Sequence, residues 1–224
     1  MFDRIIGYGD TYMPLITLIV FLIVKKNIRK EEHCFIYFLV ADLLLFSIIN
    51  ILPYTGFNNN LFLYHFYYVF EIVFVTYYIT KQLLNMFKPL FYIVTGGYIL
   101  FWLVDVFMWE SLNVFSSYAA ALQKITILFL CMYYMLTLAK NEDTLSFQKL
   151  PGFWIASGFL ISSAMGIFSA VAYKYYVLNN LISLAANAWM FESIGTILKF
   201  TFIITGFLCY KRSPRFPCQS PTLL

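Results

Sequence analysis

The chain has 224 residues, of which 62% are hydrophobic and only 12% charged, and its mean hydropathy is +0.77. So little charge cannot cover a water-soluble globule, which excludes soluble enzymes, nucleic-acid binders and disulfide scaffolds and points to an integral membrane protein. The formal net charge of +4 then reports on orientation in a bilayer rather than on a nucleic-acid partner.

The apolar runs lack a period of two, which favours spanning helices over barrel strands. Read from one polar break to the next, spans are expected at about 8–24, 34–52, 61–79, 89–109, 115–138, 153–173 and 187–210, an all-α polytopic bundle of seven transmembrane helices within 1–212. The first opens on Asp3 and Asp10 and is followed by Lys25, Lys26, Arg29 and Lys30. That order reads as an uncleaved first helix rather than a secretory signal. The second span holds Asp42. The third places His65 near its outer end and Glu71 near its middle, with Tyr64, Tyr67, Tyr68, Phe74 and Tyr78 flanking the carboxylate. The fourth has Thr95, Gly96 and Gly97 and, in its outer third, Asp105; the fifth has Lys124 slightly outward of its middle.

The sixth span carries Gly158, Ser162, Gly166 and Ala170 at intervals of four, a stripe of small residues that lets another helix approach where lipid provides no hydrophobic drive. The seventh carries Glu192, Thr196 and Lys199 at spacings of four and three, so they share a face and the hydroxyl is placed to bridge carboxylate and ammonium. The end, 213–224, with Pro214, Pro217 and Pro221, is expected to be a short disordered tail.

Eleven basic residues fall at alternate connections and the tail, while the other side has only Arg4 and Lys174. By the positive-inside rule the amino terminus is expected outside and the carboxyl terminus in the cytoplasm. Cys34, Cys131, Cys209 and Cys218 lie in helices or on the reducing side and imply no disulfide framework. Most of the 18 tyrosines and 25 phenylalanines are expected to be lipid-facing bulk or interfacial belt.

Ionisable residues inside the hydrocarbon are costly and mark functional sites. Glu71, Lys199, Lys124, Asp105 and Glu192, with His65, Tyr67, Tyr68 and Thr196, are therefore the candidate ligand-binding or charge-relay residues, in a cluster weighted to the outer half. Glu71 is expected to pair with one of the two lysines. No metal is expected: the two histidines, His33 and His65, fall on opposite sides. Nor is an enzyme expected, since no histidine shares the depth of Ser162 and Ser163 to activate them.

The stretches Leu63–Glu71 and Leu150–Ile155 resemble small seven-helix membrane proteins of Bacteroidota-type bacteria, which implies a bacterial inner membrane and a signalling context. A lysine midway along the last helix and a carboxylate midway along the third also resemble the microbial rhodopsins. That likeness implies retinal bound to Lys199 as a Schiff base with Glu71 as counter-ion. Gly195 stands where that family has an acidic residue, and no arginine neighbours Glu71. The expected function is a receptor-like or sensory module that binds a small amphiphilic or lipid-like ligand in an outward-opening pocket. It would touch membrane lipids through its basic loops and pass its output to a signalling partner. A small proton-coupled transporter and a retinal photoreceptor are the alternatives.

Overall fold

A computed structural model describes residues 9–28, 30–55, 59–84, 88–140 and 147–212. Arg4 and the tail expected at 213–224 lie outside these residues. Among them are seven α-helices and no strand: α1 (Gly9–Val24), α2 (Cys34–Ile51), α3 (Leu61–Tyr77), α4 (Lys88–Met108), α5 (Ser117–Lys140), α6 (Pro151–Leu178) and α7 (Ile182–Arg212). Six of them, α2 to α7, are long and apolar enough to cross a membrane. The 16 described residues of α1 extend about 24 Å at the α-helical rise.

The helix ends follow local chemistry. Pro151 opens α6, where its fixed φ is already helical and its missing N–H is not needed. α6 stops at Asn179 and Asn180; the latter has φ 57°, a left-handed conformation that asparagine tolerates better than most residues. The connection expected over 174–186 is therefore only Asn179–Leu181. Lys174 does not end the helix, because its ammonium turns to Glu110 at 2.5 Å while the backbone continues. α3 continues into a π-helical turn, Tyr78–Leu83, closed by the Leu84 N–H on the Ile79 carbonyl at 2.9 Å.

Each helix packs on the next and α7 returns to α1, so the seven form a ring. α3 leans across the ring to α5 and displaces α4 to the periphery, where only 17% of its apolar window is buried. The most extensive contact joins α6 to α7. It depends on glycines: a Cβ at Gly158 would lie 2.7 Å from the Lys199 carbonyl, and one at Gly206 2.9 Å from the Pro151 carbonyl. By contrast, a Cβ at Gly96 or Gly97 would meet nothing within 4 Å. The fourth-helix glycines therefore make no close contact in this chain.

Many aromatic rings face inward rather than to lipid. Phe38 stacks on Phe74 with centroids 4.4 Å apart, Phe35 meets Tyr78 edge-on at 4.7 Å, and Phe21 meets Phe207 at 5.1 Å. These rings form a core around Phe159 toward the rim expected to be cytoplasmic. A smaller core of Phe46, Tyr67, Tyr68 and Phe115 lies toward the opposite rim. Helices that are apolar all round give no periodicity to separate a lipid face from a core face, so which rings turn inward is set by packing.

Candidate functional site: a buried charge network between α3, α5 and α7

Glu71 projects from the middle of α3 and is 1% exposed. A lone carboxylate there would be prohibitively costly, and every part of it is engaged. Its Oε1 accepts from Lys199 Nζ at 2.8 Å and from the Tyr67 hydroxyl at 3.2 Å. Its Oε2 accepts from Lys124 Nζ at 3.0 Å and from Gln123 Nε2 at 2.6 Å. Lys199 also donates to the Tyr67 hydroxyl at 3.2 Å. The expected single partner for Glu71 is thus two, one ammonium on each oxygen.

Two ammonium groups on one carboxylate leave a positive excess, and Glu192 offsets it. Its Oε1 lies 4.0 Å from Lys124 Nζ, and its Oε2 accepts from the Ser169 hydroxyl at 2.9 Å. The order Lys199, Glu71, Lys124, Glu192 alternates in sign and sums to zero. It starts in the middle of α7, crosses α3 and α5, and returns to α7 two turns away. Three members are almost fully enclosed; the Glu192 side chain is 20% exposed.

α6 shapes the site through glycine. A Cβ at Gly166 would lie 3.0 Å from Lys124 Cε and 3.1 Å from Cδ. The residue makes a groove for the lysine stem, so the small-residue stripe serves α5 at Gly166 and α7 at Gly158. Ala170 joins the smaller aromatic core, and Ser162 is buried beside Gly195.

Beside Lys124 and Glu192 is a pocket of about 20 Å³, walled by Phe46, Tyr64, Tyr67, Tyr68, Trp189 and Thr196. A volume of ~10–15 Å³ accepts one water, whereas pockets for drug-sized ligands run to ~300–1,000 Å³. Thr196 is on this wall, and no hydrogen bond joins it to Glu192 or Lys199 among the described residues. Retinal does not fit this arrangement. Lys199 Nζ is committed to Glu71 and Tyr67, and Phe38, Phe159 and Phe200 lie over it with centroids at 5.8, 5.8 and 4.9 Å.

Two candidates stand apart from the network. His65 is buried with Nε2 2.9 Å from the Val114 carbonyl, so it fastens the α4–α5 connection to α3. Asp105, near the end of α4, is buried against the start of α5, with Oδ2 3.5 Å from the Ser116 hydroxyl and its carboxylate facing the Ala119 N–H. Glu110 accepts from the Tyr118 N–H at 3.1 Å and from Lys174, whose ammonium lies 3.6 Å over the Tyr118 ring. Two carboxylates therefore serve the otherwise unsatisfied N–H groups at the start of α5, with a favourable dipole. This clasp holds α4, α5 and α6 together at one rim.

Sequence reasoning missed Gln123, Ser169 and Glu110. Gln123 carried a signal, a polar amide next to an intramembrane lysine; Ser169 carried none, since serine satisfies itself on helix carbonyls throughout such bundles. It also missed a second polar layer beyond the aromatic core. There the buried Tyr78 hydroxyl has no hydrogen bond among the described residues, and Glu32, Tyr210, Tyr134 and Cys34 are its electrostatic neighbours.

No protein-family model, curated protein or solved structure matches this chain.

Proposed function

We propose that the chain is an integral protein of a bacterial inner membrane, crossing it seven times with the amino terminus outside, and that it works as a receptor-like or sensory module. The observation that carries this reading is the neutral chain Lys199–Glu71–Lys124–Glu192, which ties three helices together and reaches the surface only at Glu192. Intramembrane charges arranged this way fit a switch better than a catalytic centre. The pocket beside Glu192 is water-sized, so a small amphiphile enters by parting Tyr64 of α3 from Trp189 of α7, whose rings meet at 5.3 Å. Binding is then coupled to helix separation, because the ligand favours the open arrangement. The output passes to a partner at the basic loops, where Lys25 and Lys26 also contact anionic lipid.

A second reading, a small proton-coupled transporter, draws on the polar layer around Tyr78, which supplies an inner half that the sequence offered only through Asp42. Native mass spectrometry of the protein released from nanodiscs separates the two. A retained molecule that is lost in Glu192→Gln supports the receptor reading. Proton flux into liposomes that disappears in Glu71→Gln supports transport. An empty protein without flux overturns both.

A further inference from the structure

Lys124 sits between two carboxylates, 3.0 Å from Glu71 Oε2 and 4.0 Å from Glu192 Oε1. The first contact is a hydrogen bond and the second is about 1 Å too long to be one. Removing Lys124 from Glu71 would not strand that carboxylate. Lys199 and Tyr67 remain on Oε1, and Gln123 remains on Oε2 at 2.6 Å. Glu192, meanwhile, keeps Ser169 on Oε2 and presents Oε1 to the lysine.

We infer that Lys124 is a shared cation that exchanges between Glu71 and Glu192, with the groove at Gly166 as its track. In one arrangement Glu71 holds both lysines; in the other the network divides into two ion pairs, Lys199–Glu71 and Lys124–Glu192. Neither arrangement changes the number of buried charges or their sum, so the exchange avoids the desolvation cost that normally fixes a charge inside a membrane. Three features of the site allow the movement. The stem rests against a glycine, with no side chain to block it; the ammonium borders the small pocket; and the Tyr68 ring, 5.9 Å from Nζ, offers a favourable surface along the way. The exchange rests on the proposed reading of this network as the responsive part, and it names the moving piece. With Lys124 on Glu192, α3 is held to α5 only through Gln123 among these polar contacts, and its remaining ion pair runs to α7. Any ligand that engages Glu192 therefore returns Lys124 to Glu71 and tightens α3 on α5.

The test is ¹⁵N NMR of the lysine ammonium groups in the full-length protein in nanodiscs, with Lys124→Arg and Lys199→Arg used to assign the two buried signals. Lys124 is expected to give an exchange-broadened resonance that sharpens and shifts in Glu192→Gln, while Lys199 stays unmoved. Gly166→Ala, which presses a methyl on the stem, is expected to change the Lys124 populations as well. A sharp Lys124 signal that is the same in wild type and Glu192→Gln overturns the exchange, even if Gly166→Ala fails to fold. A mobile Lys124 in a protein with neither retained ligand nor flux would leave the exchange standing and remove the functional reading; a static Lys124 with a Glu192-dependent ligand would do the reverse.

Discussion

Replacing Glu71 by glutamine keeps the shape of the side chain and removes the one charge that both buried lysines share. The consequence follows from the distances. Lys199, 1% exposed, loses its carboxylate at 2.8 Å and keeps the neutral Tyr67 hydroxyl at 3.2 Å. Lys124 loses its contact at 3.0 Å and falls back on Glu192 at 4.0 Å. Breaking a buried pair by removing one partner costs about 3–5 kcal/mol, because the remaining charge stays desolvated. Here one of the two lysines has a second carboxylate, so the loss is expected at about 3–5 kcal/mol rather than twice that. Glu192→Gln is the internal control. Its contact is long and its side chain 20% exposed, so about 1 kcal/mol or less is expected. Adding Lys124→Met to Glu71→Gln restores charge balance between Lys199 and Glu192 and should recover part of the loss. Reversible unfolding in mixed micelles, compared across the wild type and the three variants, measures this. Equal costs for Glu71→Gln and Glu192→Gln, or a cost below about 1 kcal/mol for the former, would refute the claim that Glu71 is the centre of the network.

Gly158→Ala places a methyl 2.7 Å from the Lys199 carbonyl; overpacking of this kind costs about 1–3 kcal/mol, read in the same unfolding assay, and should exceed the effect of Gly96→Ala, whose methyl meets nothing within 4 Å. Lys174→Ala leaves the buried Glu110 with the Tyr118 N–H as its described hydrogen bond, and a loss of about 1–3 kcal/mol is expected, accompanied by faster proteolysis at the α4–α5 connection; an unchanged cleavage rate would argue against the clasp. Protein produced with retinal supplied is expected to be colourless, and a visible band that vanishes in Lys199→Ala would show that the packing around Lys199 opens far more than these distances allow. A cysteine placed at Leu181 is expected to react with an impermeant reagent added outside intact cells, whereas one at Lys26 is not; the reverse pattern would invert the proposed orientation.

Most helix positions were legible because the sequence is punctuated by charge. α1 to α5 begin and end within two residues of the expected spans, and the two exceptions, α6 and α7, have a common origin. Between α6 and α7 a lysine and two asparagines predict a long connection, but Lys174 finds Glu110 in another element, a pairing that no local pattern encodes. The members of the charge network were legible too, since a charge in an apolar helix is conspicuous on its own. Their assignment was less so. Asp105 and Glu71 look alike in sequence, each a carboxylate in an apolar helix, yet one faces the start of α5 and the other two lysines. Which role a carboxylate takes depends on which helix end or cation lies opposite, and that is a property of packing. Gly166 makes the same point: its spacing predicted helix contact, but its neighbour is the stem of Lys124.

The packing also explains why the network sits where it does. α6 and α7 are joined along most of their length by close glycine contacts, whereas α3 and α7 scarcely touch through their backbones. Lys199 with Glu71 and Tyr67, and Tyr64 with Trp189, span that sparse interface, while Lys124 and Gln123 tie Glu71 to α5. In lipid, apolar side chains are no worse off facing the bilayer than facing each other, so a thinly packed interface depends on its polar contacts. α3 is well packed on its other neighbours, with 56% of its apolar window buried, so charge governs its position against α7 in particular. Changes at Glu71, Lys124 or Lys199 should move α3 relative to α5 and α7 while leaving the α6–α7 pair in place. Distance measurements between spin labels on α3 and α7, with a second pair on α6 and α7 as reference, would reveal that difference; movement of both pairs alike would mean that the charges hold the bundle as a whole and not one helix.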